Sequence, residues 1–286
     1  MSPISFLSLA GNSYAGSWLL WFAQLGMLLA IPVTIKFFLP VYSKLDIDTA
    51  YHYLELRFNS KGLRILGAVM FIIYQIGRMS IIMYLPCMVL SSLMGVSVNI
   101  LIIIMGAIAI VYSYTGGLKS VLWTDFIQGS VLLIGVTLGR SFLLAHIDGG
   151  LGAIFHEFTS GEKFLAANQP IFDPNILKDS VFLLIVGAGF NTMGSYVSSQ
   201  DIVQRFTTTT DTKKLNKMML ANGALSIFIA TVFYLIGTGL YVFYQVQGNP
   251  LPPAAQQDQI FASWIAFELP VGVTGLLLAA IYAAAQ

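Results

Sequence analysis

An arginine stands inside a long apolar run, in the stretch YQIGRMSIIMYLP at residues 74–86. Arg78 lies 14 residues after Arg64, about 21 Å further along a helix, where its side chain reaches neither membrane surface. A charge at that depth costs about 2.5–3.5 kcal/mol, so it needs a partner. Gln75 shares its helical face. Two interpretations stay open: the guanidinium receives a substrate carboxylate bidentately, or it is a structural arginine held by an internal acid or by carbonyl groups.

An aspartate near the start of a later apolar run is the second candidate. Asp125 lies six residues after Lys119, about 9 Å into its helix, with Gln128 on the same face and Gly129 leaving room beside it. A carboxylate joined by carbonyl or hydroxyl oxygens from other helices suits a hard cation, here Na⁺ or a proton in its place. The alternative is a carboxylate at the wet end of a helix, and the residue types alone do not separate the two.

Two segments combine helix-weakening residues with polar ones. SPISFLSLAGN at 2–12 reads poorly as a continuous lipid-facing helix, and GAGFNTMGSYVSSQD at 187–201 mixes three glycines with hydroxyls and amides. Transporters place their sites at such segments when these occupy corresponding positions in two repeats. The alternative is close helix packing by small residues, which we expect for Gly187 and Gly189. Gln24 is a lone amide in another apolar run, suited equally to a site or to a structural hydrogen bond.

The elements that must position these residues are membrane-spanning helices. Of 286 residues, 57% are hydrophobic and only 9% are charged, whereas a soluble domain carries about 25% charged residues. The mean hydropathy is +0.79. Lipid supplies no hydrogen-bond partners for the backbone, and the apolar runs are too long and uniform for the alternating strands of a barrel. We therefore expect an all-α integral membrane protein.

Runs of about 20 apolar residues predict where the chain crosses the membrane. After a short first segment at 1–14, we expect spans at 18–40, 63–93, 98–114, 121–146, 181–203, 220–244 and 271–286. Short helices are expected at 49–58, 151–158 and 258–268, and a tight turn at 116–117. Because neither end of the sequence carries a polar cap or a basic leader, we expect one transmembrane domain over 1–286 that belongs to a longer protein.

Lysine and arginine predict the orientation. They are concentrated in the loops 36–64, 115–120 and 204–217, which we therefore place on the cytoplasmic side. The loop 147–178 then lies outside. The helix at 49–58 reads as an amphipathic anchor with Tyr51, Leu54 and Phe58 toward the membrane and its charged residues toward water. Arg140 is close enough to the outer surface to reach it, so it is a weaker site candidate than Arg78.

Several motifs resemble one transporter family. YTGGLKSVLWTDFIQG at 114–129 resembles the signature segment of the sodium:solute symporter family, and AYHYLELRF, SSQDIVQRF and AAIYAAAQ are similar to it as well. Within that family, SFLSLAG, FAQLG, QIGRMSIIMYL and ASWIAFELPVG look closest to the bacterial sodium-coupled sialic acid transporters. The resemblance implies a leucine-transporter (LeuT-type) fold of two inverted five-helix repeats, of which this sequence would hold about helices 1 to 8.

The same resemblance implies roles for particular residues. Arg78 would bind the sialate carboxylate, with Gln24 near the sugar and Ser2 and Ser5, in an unwound first helix, touching the substrate. The backbone of Met1, Ala283 and Ala284 would lie near the main sodium site, and Asp125 would belong to a second one.

The expectation is thus a Na⁺-coupled symporter of sialic acid (N-acetylneuraminate) that works by alternating access. It would lie in the bacterial inner membrane, with sodium ions, the sugar acid and the lipid bilayer as partners and no nucleic acid. One alternative is a symporter of another carboxylate or sugar, because Arg78 suits any carboxylate. Another is a symporter-like membrane sensor. An enzyme is not expected, because the sequence offers no nucleophile–base or metal constellation in its spans.

Overall fold

All the regular secondary structure among the described residues is helical. A computed structural model describes residues 3–38, 40, 49–160, 163–166, 169–175, 178–206, 212–251 and 259–283. Its α-helices, numbered here in chain order, are α1 Pro3–Ala15, α2 Ala23–Val33, α3 His52–Phe58, α4 Lys61–Met94, α5 Val98–His146, α6 Gly150–Ser160, α7 Val181–Ser198, α8 Gln200–Phe206, α9 Thr212–Tyr241, α10 Ile260–Glu268 and α11 Val271–Ala283. A 3-10 helix, Trp18–Phe22, leads into α2, and π-helical turns follow α2 at Thr34–Phe38 and α9 at Val242–Val246.

Six helical segments among the described residues are long and apolar enough to cross a membrane. They are Trp18–Phe38, Lys61–Ser91, Val98–Gly117, Ser120–His146, Val181–Ser198 and Lys213–Val246. Each coincides with a predicted span, because a run of about 20 apolar residues is a strong local signal. The short helices predicted at 49–58, 151–158 and 258–268 are present as α3, α6 and α10.

The turn predicted at 116–117 is a bend within α5. Gly117 has φ 58° and ψ −160°, a conformation that glycine adopts readily and other residues avoid. The helical path continues on both sides, so one residue separates the fourth span from the fifth. The prediction of a turn is confirmed.

The predicted sixth span, 181–203, is wrong at its carboxyl end. Helix α7 ends at Ser198, and Ser199 is extended, with φ −80° and ψ 120°. The carbonyl oxygen of Ser199 then accepts hydrogen bonds from the amides of Ile202 (3.1 Å) and Val203 (3.0 Å). Ser199 therefore starts α8 as a helix-capping residue, which hydropathy alone does not reveal.

The seventh span begins earlier than the predicted residue 220. Helix α9 starts at Thr212, in a polar stretch that contains three lysines. Leu215 and Met219 are each only 3% exposed and pack with Ile31 of α2. These two side chains give the polar stretch a buried face, so the helix forms ahead of the continuous apolar run.

The first segment is one uninterrupted helix from residue 3 to residue 15, contrary to the expected broken segment. Pro3 is its first residue, a position where a missing N–H breaks no helical hydrogen bond. Ala10 and Ser13 are completely buried. The carboxyl half of the helix therefore packs against protein, and the Ser13 hydroxyl does not face lipid.

The chain divides into two compact units. The first comprises Met1–Trp18, Arg78–Ala166 and Val232–Gln286, and the second comprises Leu19–Gly77 and Ala167–Thr231. In the second unit, α2 crosses α7 at very short range: a Cβ on Gly26 would lie 2.0 Å from the Ile185 carbonyl oxygen, and a Cβ on Gly189 would lie 3.2 Å from that of Gly26. Close packing at Gly189 is thus confirmed.

The same expectation is wrong for Gly187, because a Cβ there would meet nothing within 4 Å. Gly187 and Gly189 are two positions apart on α7, so they point to different sides of the helix and only one faces α2.

In the first unit, α10 and α11 pack against the carboxyl half of α5. Phe261 and Trp264 of α10 are at most 1% exposed, with rings stacked at 6.3 Å. Leu277 of α11 is fully buried, and a Cβ on Gly135 of α5 would lie 2.4 Å from one of its methyl carbons. A second cluster, formed by Cys87, Leu101 and Met105, joins the end of α4 to the start of α5.

Candidate functional site

Arg78 lies at the midpoint of α4. Helix α4 runs without interruption from Lys61 to Met94, which places Arg78 about 25 Å from either end. Its side chain is exposed on the surface of the first unit. One turn earlier on the same helix, the side-chain oxygen of Gln75 is buried and accepts no hydrogen bond from the described residues. The helix thus offers a cationic fork and an unused acceptor at mid-span.

Asp125 lies in the second half of α5, eight residues after the bend at Gly117. Its side chain is exposed, and a Cβ on Gly129, one turn further, would meet nothing within 4 Å. The hydroxyl of Thr124 donates to the Val121 carbonyl oxygen at 2.9 Å. That bond uses the proton of Thr124 and leaves its oxygen able to accept, as a cation ligand must.

The remaining predicted site residues are placed as follows. Gln24 lies in α2, in the second unit, and is partly buried. Ser5 lies in α1 and Ala283 is the last residue of α11, both in the first unit. Met1, Ser2 and Ala284 lie outside the described residues.

A buried polar cluster joins the carboxyl end of α1 to α9. The Ser13 hydroxyl donates to the Tyr234 carbonyl oxygen at 2.7 Å and lies 3.0 Å from the Thr238 hydroxyl. The Trp18 indole donates to the Thr238 hydroxyl at 3.0 Å. A Cβ on Gly237 would lie 2.2 Å from the Ala10 carbonyl oxygen. The two helices are therefore in backbone contact, and buried hydrogen bonds fix their register.

A lysine from the loop after α6 reaches this same helix end. Lys163 is only 7% exposed, and its ammonium donates to the carbonyl oxygens of Tyr14 (2.8 Å), Gly16 (3.1 Å) and Ser13 (3.3 Å). Burial lowers the pKa of this ammonium to about 8, while the Glu157 carboxylate acts in the opposite direction. At neutral pH it therefore carries its charge at the negative end of the α1 dipole.

In the second unit, α3 is tied to the end of α7. The Ala50 amide donates to the Gln200 side chain at 2.8 Å, and the Tyr51 hydroxyl donates to the Ser198 carbonyl oxygen at 3.1 Å. The Tyr51 ring also packs on Phe71, with centroids 5.9 Å apart. The ring and the hydroxyl of Tyr51 both contact protein, and its orientation toward the membrane stays a prediction.

An ion pair joins α3 to the start of α4. Arg64 donates to Glu55 at 2.9 Å, and this bond holds the pKa of the Glu55 carboxyl below its usual value. Phe58, at the end of α3, is 61% exposed.

Comparison with known proteins identifies the family of this chain. The sequence model of the sodium:solute symporter family matches residues 1–285. The chain belongs to the sodium:solute symporter family. The family resemblance of the signature segment at 114–129 and of the other motifs is thereby confirmed.

The relatives of this chain include two bacterial proteins. The sodium/sialic acid symporter SiaT of Proteus mirabilis is 32% identical over the whole chain, and the sodium/sialic acid symporter NanT of Aliivibrio fischeri is 29% identical over the whole chain. A sodium-coupled monocarboxylate transporter of Xenopus laevis is 31% identical over 86% of the chain, which spans 39% of that protein. The chain spans 57% and 56% of the lengths of SiaT and NanT.

A solved structure confirms the fold class. A Na⁺-coupled sialic acid symporter in a substrate-bound, outward-open state matches the whole chain with a TM-score of 0.90 and 32% identity. The chain covers 60% of that structure. The expectation of an all-α membrane protein with a LeuT-type transporter fold is therefore correct.

Sequence reasoning missed Lys163 and the polar cluster at the carboxyl end of α1. No local pattern distinguishes Lys163 from Lys178, which lies in the same predicted outer loop. Its partners in α1 lie about 150 positions away in the chain. Such a long-range contact leaves no periodicity in the sequence.

Proposed function

We propose that this chain is part of a Na⁺-coupled symporter of sialic acid (N-acetylneuraminate), working by alternating access in a bacterial inner membrane. The observation that carries the proposal is the similarity, over the entire chain, to two sodium/sialic acid symporters and to the solved outward-open structure. Transport rather than catalysis is proposed because the family is one of symporters. The stretch 1–286 is proposed to be one part of a single transporter domain.

The substrate carboxylate binds to Arg78 in this proposal. A guanidinium presents two parallel N–H groups that match the two carboxylate oxygens, and the low dielectric of the membrane interior strengthens the pairing. The unused side-chain oxygen of Gln75 supplies an acceptor for a substrate hydroxyl or amide. Gln24, Ser2 and Ser5 contact the sugar.

Sodium is the coupling ion, and we assign it two sites. The first uses backbone carbonyl oxygens near Met1, Ala283 and Ala284, and the second uses the Asp125 carboxylate. Oxygen ligands of this kind suit a hard monovalent cation. The accessible carboxylate of Asp125 and the free lone pairs of Thr124 support the second assignment.

The coupling follows from linkage between the ion and the conformations. Sodium binding stabilises the outward-open state, sialate then binds with the ion in place, and closure toward the outside exposes both to the cytoplasm. The inward sodium gradient then drives net uptake of sialate.

A monocarboxylate is the second candidate substrate. The specific observation is the 31% identity with the Xenopus monocarboxylate transporter over 86% of the chain. Arg78 would have the same role there, because its guanidinium binds a carboxylate group whatever the rest of the substrate is.

The test is equilibrium binding of N-acetylneuraminate to the purified full-length protein, in Na⁺ and in K⁺. Wild-type protein should bind in Na⁺ only, and Arg78→Ala should abolish binding. Arg140→Ala is the matched control, because Arg140 lies six residues from the end of α5 and is not assigned to the site. Binding that survives Arg78→Ala would make Arg78 structural. Absent sialate binding together with Na⁺-dependent lactate binding would favour the monocarboxylate.

A further inference from the structure

The buried ammonium of Lys163 binds the carboxyl end of α1. Lys163 comes from the loop that follows α6, yet its ammonium contacts the carbonyl oxygens of Ser13, Tyr14 and Gly16 at 3.3, 2.8 and 3.1 Å. A hydrogen bond also runs in the opposite direction, because the amide of Trp18 donates to the carbonyl oxygen of Lys163 at 2.8 Å. The last turn of α1 and the residues just after it are thus bound to the loop from two directions.

An aromatic surface completes the site of the ammonium. The Lys163 nitrogen lies 3.6 Å from the centroid of the Tyr241 ring at the end of α9. The Tyr14 ring packs edge-on against Tyr241 at 6.3 Å, and Gln245 donates to the Tyr14 hydroxyl at 2.8 Å. The cation therefore joins the ends of α1 and α9 through carbonyl dipoles on one side and a π-face on the other.

The chemistry of the contact fits a lysine closely. The final carbonyl oxygens of a helix have no partner within it, and an ammonium has three N–H donors and no acceptor. Here three donors meet three carbonyl oxygens, and the charge lies at the negative end of the helix dipole. The other titratable groups that face it are the Glu157 carboxyl of α6 and the phenol of Tyr241.

A buried charge is costly to maintain, so its retention calls for a role. Burial disfavours the ammonium, and an apolar side chain of the same length would avoid that cost. An apolar residue could not form the directional hydrogen bonds that Lys163 donates to the end of the helix. Ser5, a proposed substrate contact, lies eight residues before Ser13 on the same rigid helix, about 12 Å away.

We propose that Lys163 is a positioning residue for transport: by clamping the carboxyl end of α1 to α9, it sets the position of the substrate-binding part of α1. This inference rests on the proposed function, because it is through the site residues of α1 that the clamp would affect uptake. Lys163 itself touches neither substrate nor sodium. Its contribution is expected in affinity rather than in the maximal rate.

The experiment uses the full-length protein in liposomes and compares Lys163→Met, Lys163→Arg and Lys178→Met. Lys178 is the matched control, from the same predicted outer loop, with a side chain that is 67% exposed and 3.8 Å from Asp173. Lys163→Met should raise the KM for sialate or for Na⁺ about tenfold, as the loss of charge-assisted hydrogen bonds predicts, with little change in maximal rate. Lys163→Arg should restore most of the affinity, and Lys178→Met should match the wild type.

Two results would overturn the clamp. One is an unchanged KM in Lys163→Met, with any defect confined to the thermal midpoint or the amount of folded protein, as for a purely structural residue. The other is Lys163→Arg as impaired as Lys163→Met, since the charge would then not matter. If Lys163→Met does not accumulate, Tyr241→Leu removes only the aromatic face and should shift KM in the same direction by a smaller factor.

Amide hydrogen exchange without substrate separates this inference from the proposed function. Lys163→Met should accelerate exchange at Gly16 and Trp18, whose amides donate to Asn12 and Lys163 at 2.9 and 2.8 Å. Faster exchange in a protein that takes up no sialate would support the clamp and refute the proposed substrate. Normal Na⁺-driven sialate uptake with unchanged exchange and KM would refute the clamp alone.

Discussion

The crossing of α2 and α7 requires a glycine, and Gly26→Ala tests that requirement quantitatively. A Cβ at Gly26 would lie 2.0 Å from the Ile185 carbonyl oxygen and 2.8 Å from the Gly189 nitrogen. The closer contact falls about 1.4 Å short of an ordinary van der Waals separation of 3.4 Å. Both atoms belong to the backbone of α7 and cannot rotate away, so α2 would have to move as a whole.

The magnitude follows from two opposing effects. Overpacking costs about 1–3 kcal/mol, and a contact with backbone belongs at the upper end of that range. Replacing a helical glycine with alanine gains about 0.5–1 kcal/mol in propensity. We therefore expect a net loss of about 2 kcal/mol, which in a protein of this size lowers the thermal midpoint by roughly 2–3 °C.

The assay is thermal unfolding of the purified full-length protein in detergent, followed by tryptophan fluorescence. Gly187→Ala is the matched control, because Gly187 is also in α7 and a Cβ there meets nothing within 4 Å. It should unfold at or slightly above the wild-type temperature. A Gly26→Ala protein as stable as Gly187→Ala would show that the helices do not meet as closely as described.

Three further perturbations test other parts of the account. Thr238→Val should cost about 1–3 kcal/mol in thermal unfolding, because it leaves the buried Trp18 indole without its acceptor; an unchanged midpoint would contradict the hydrogen bond. Gly117→Ala should destabilise the protein by about 1–3 kcal/mol, since φ 58° with ψ −160° strains any side chain, and a stable variant would argue against the bend. The pKa of Lys163 falls from an ordinary 10.5 to about 8, so the unfolded chain binds the extra proton between these values. The stability of the wild type relative to Lys163→Met should therefore rise from pH 8 to 10.5, and a difference independent of pH would contradict the burial.

Hydropathy predicted most of the helical framework because its signal is local. Each apolar run of about 20 residues gives one span, and Gly117 was recognisable from its GG dipeptide. The start of α9 and the break at Ser199 were not predictable in this way. The first depends on Leu215 packing against α2, and the second on a capping interaction within an otherwise helix-compatible sequence.

The residues of the candidate site also differ in whether local sequence reveals them. Arg78 and Asp125 stood out because a charge within an apolar run is conspicuous in any sequence. Lys163 did not, because its burial comes from contacts with Tyr14 and Tyr241, which are distant in the chain. The sequence around a lysine in a loop of ordinary composition does not indicate which distant residues it contacts.

Sodium-driven uptake of N-acetylneuraminate by the full-length protein in liposomes tests the central claim most directly. With an inward Na⁺ gradient, wild-type protein should accumulate the labelled sugar acid above its external concentration, and replacing Na⁺ with K⁺ should abolish accumulation. Arg78→Ala should accumulate none in either salt. Equal uptake in Na⁺ and K⁺, or uptake that persists in Arg78→Ala, would contradict the account.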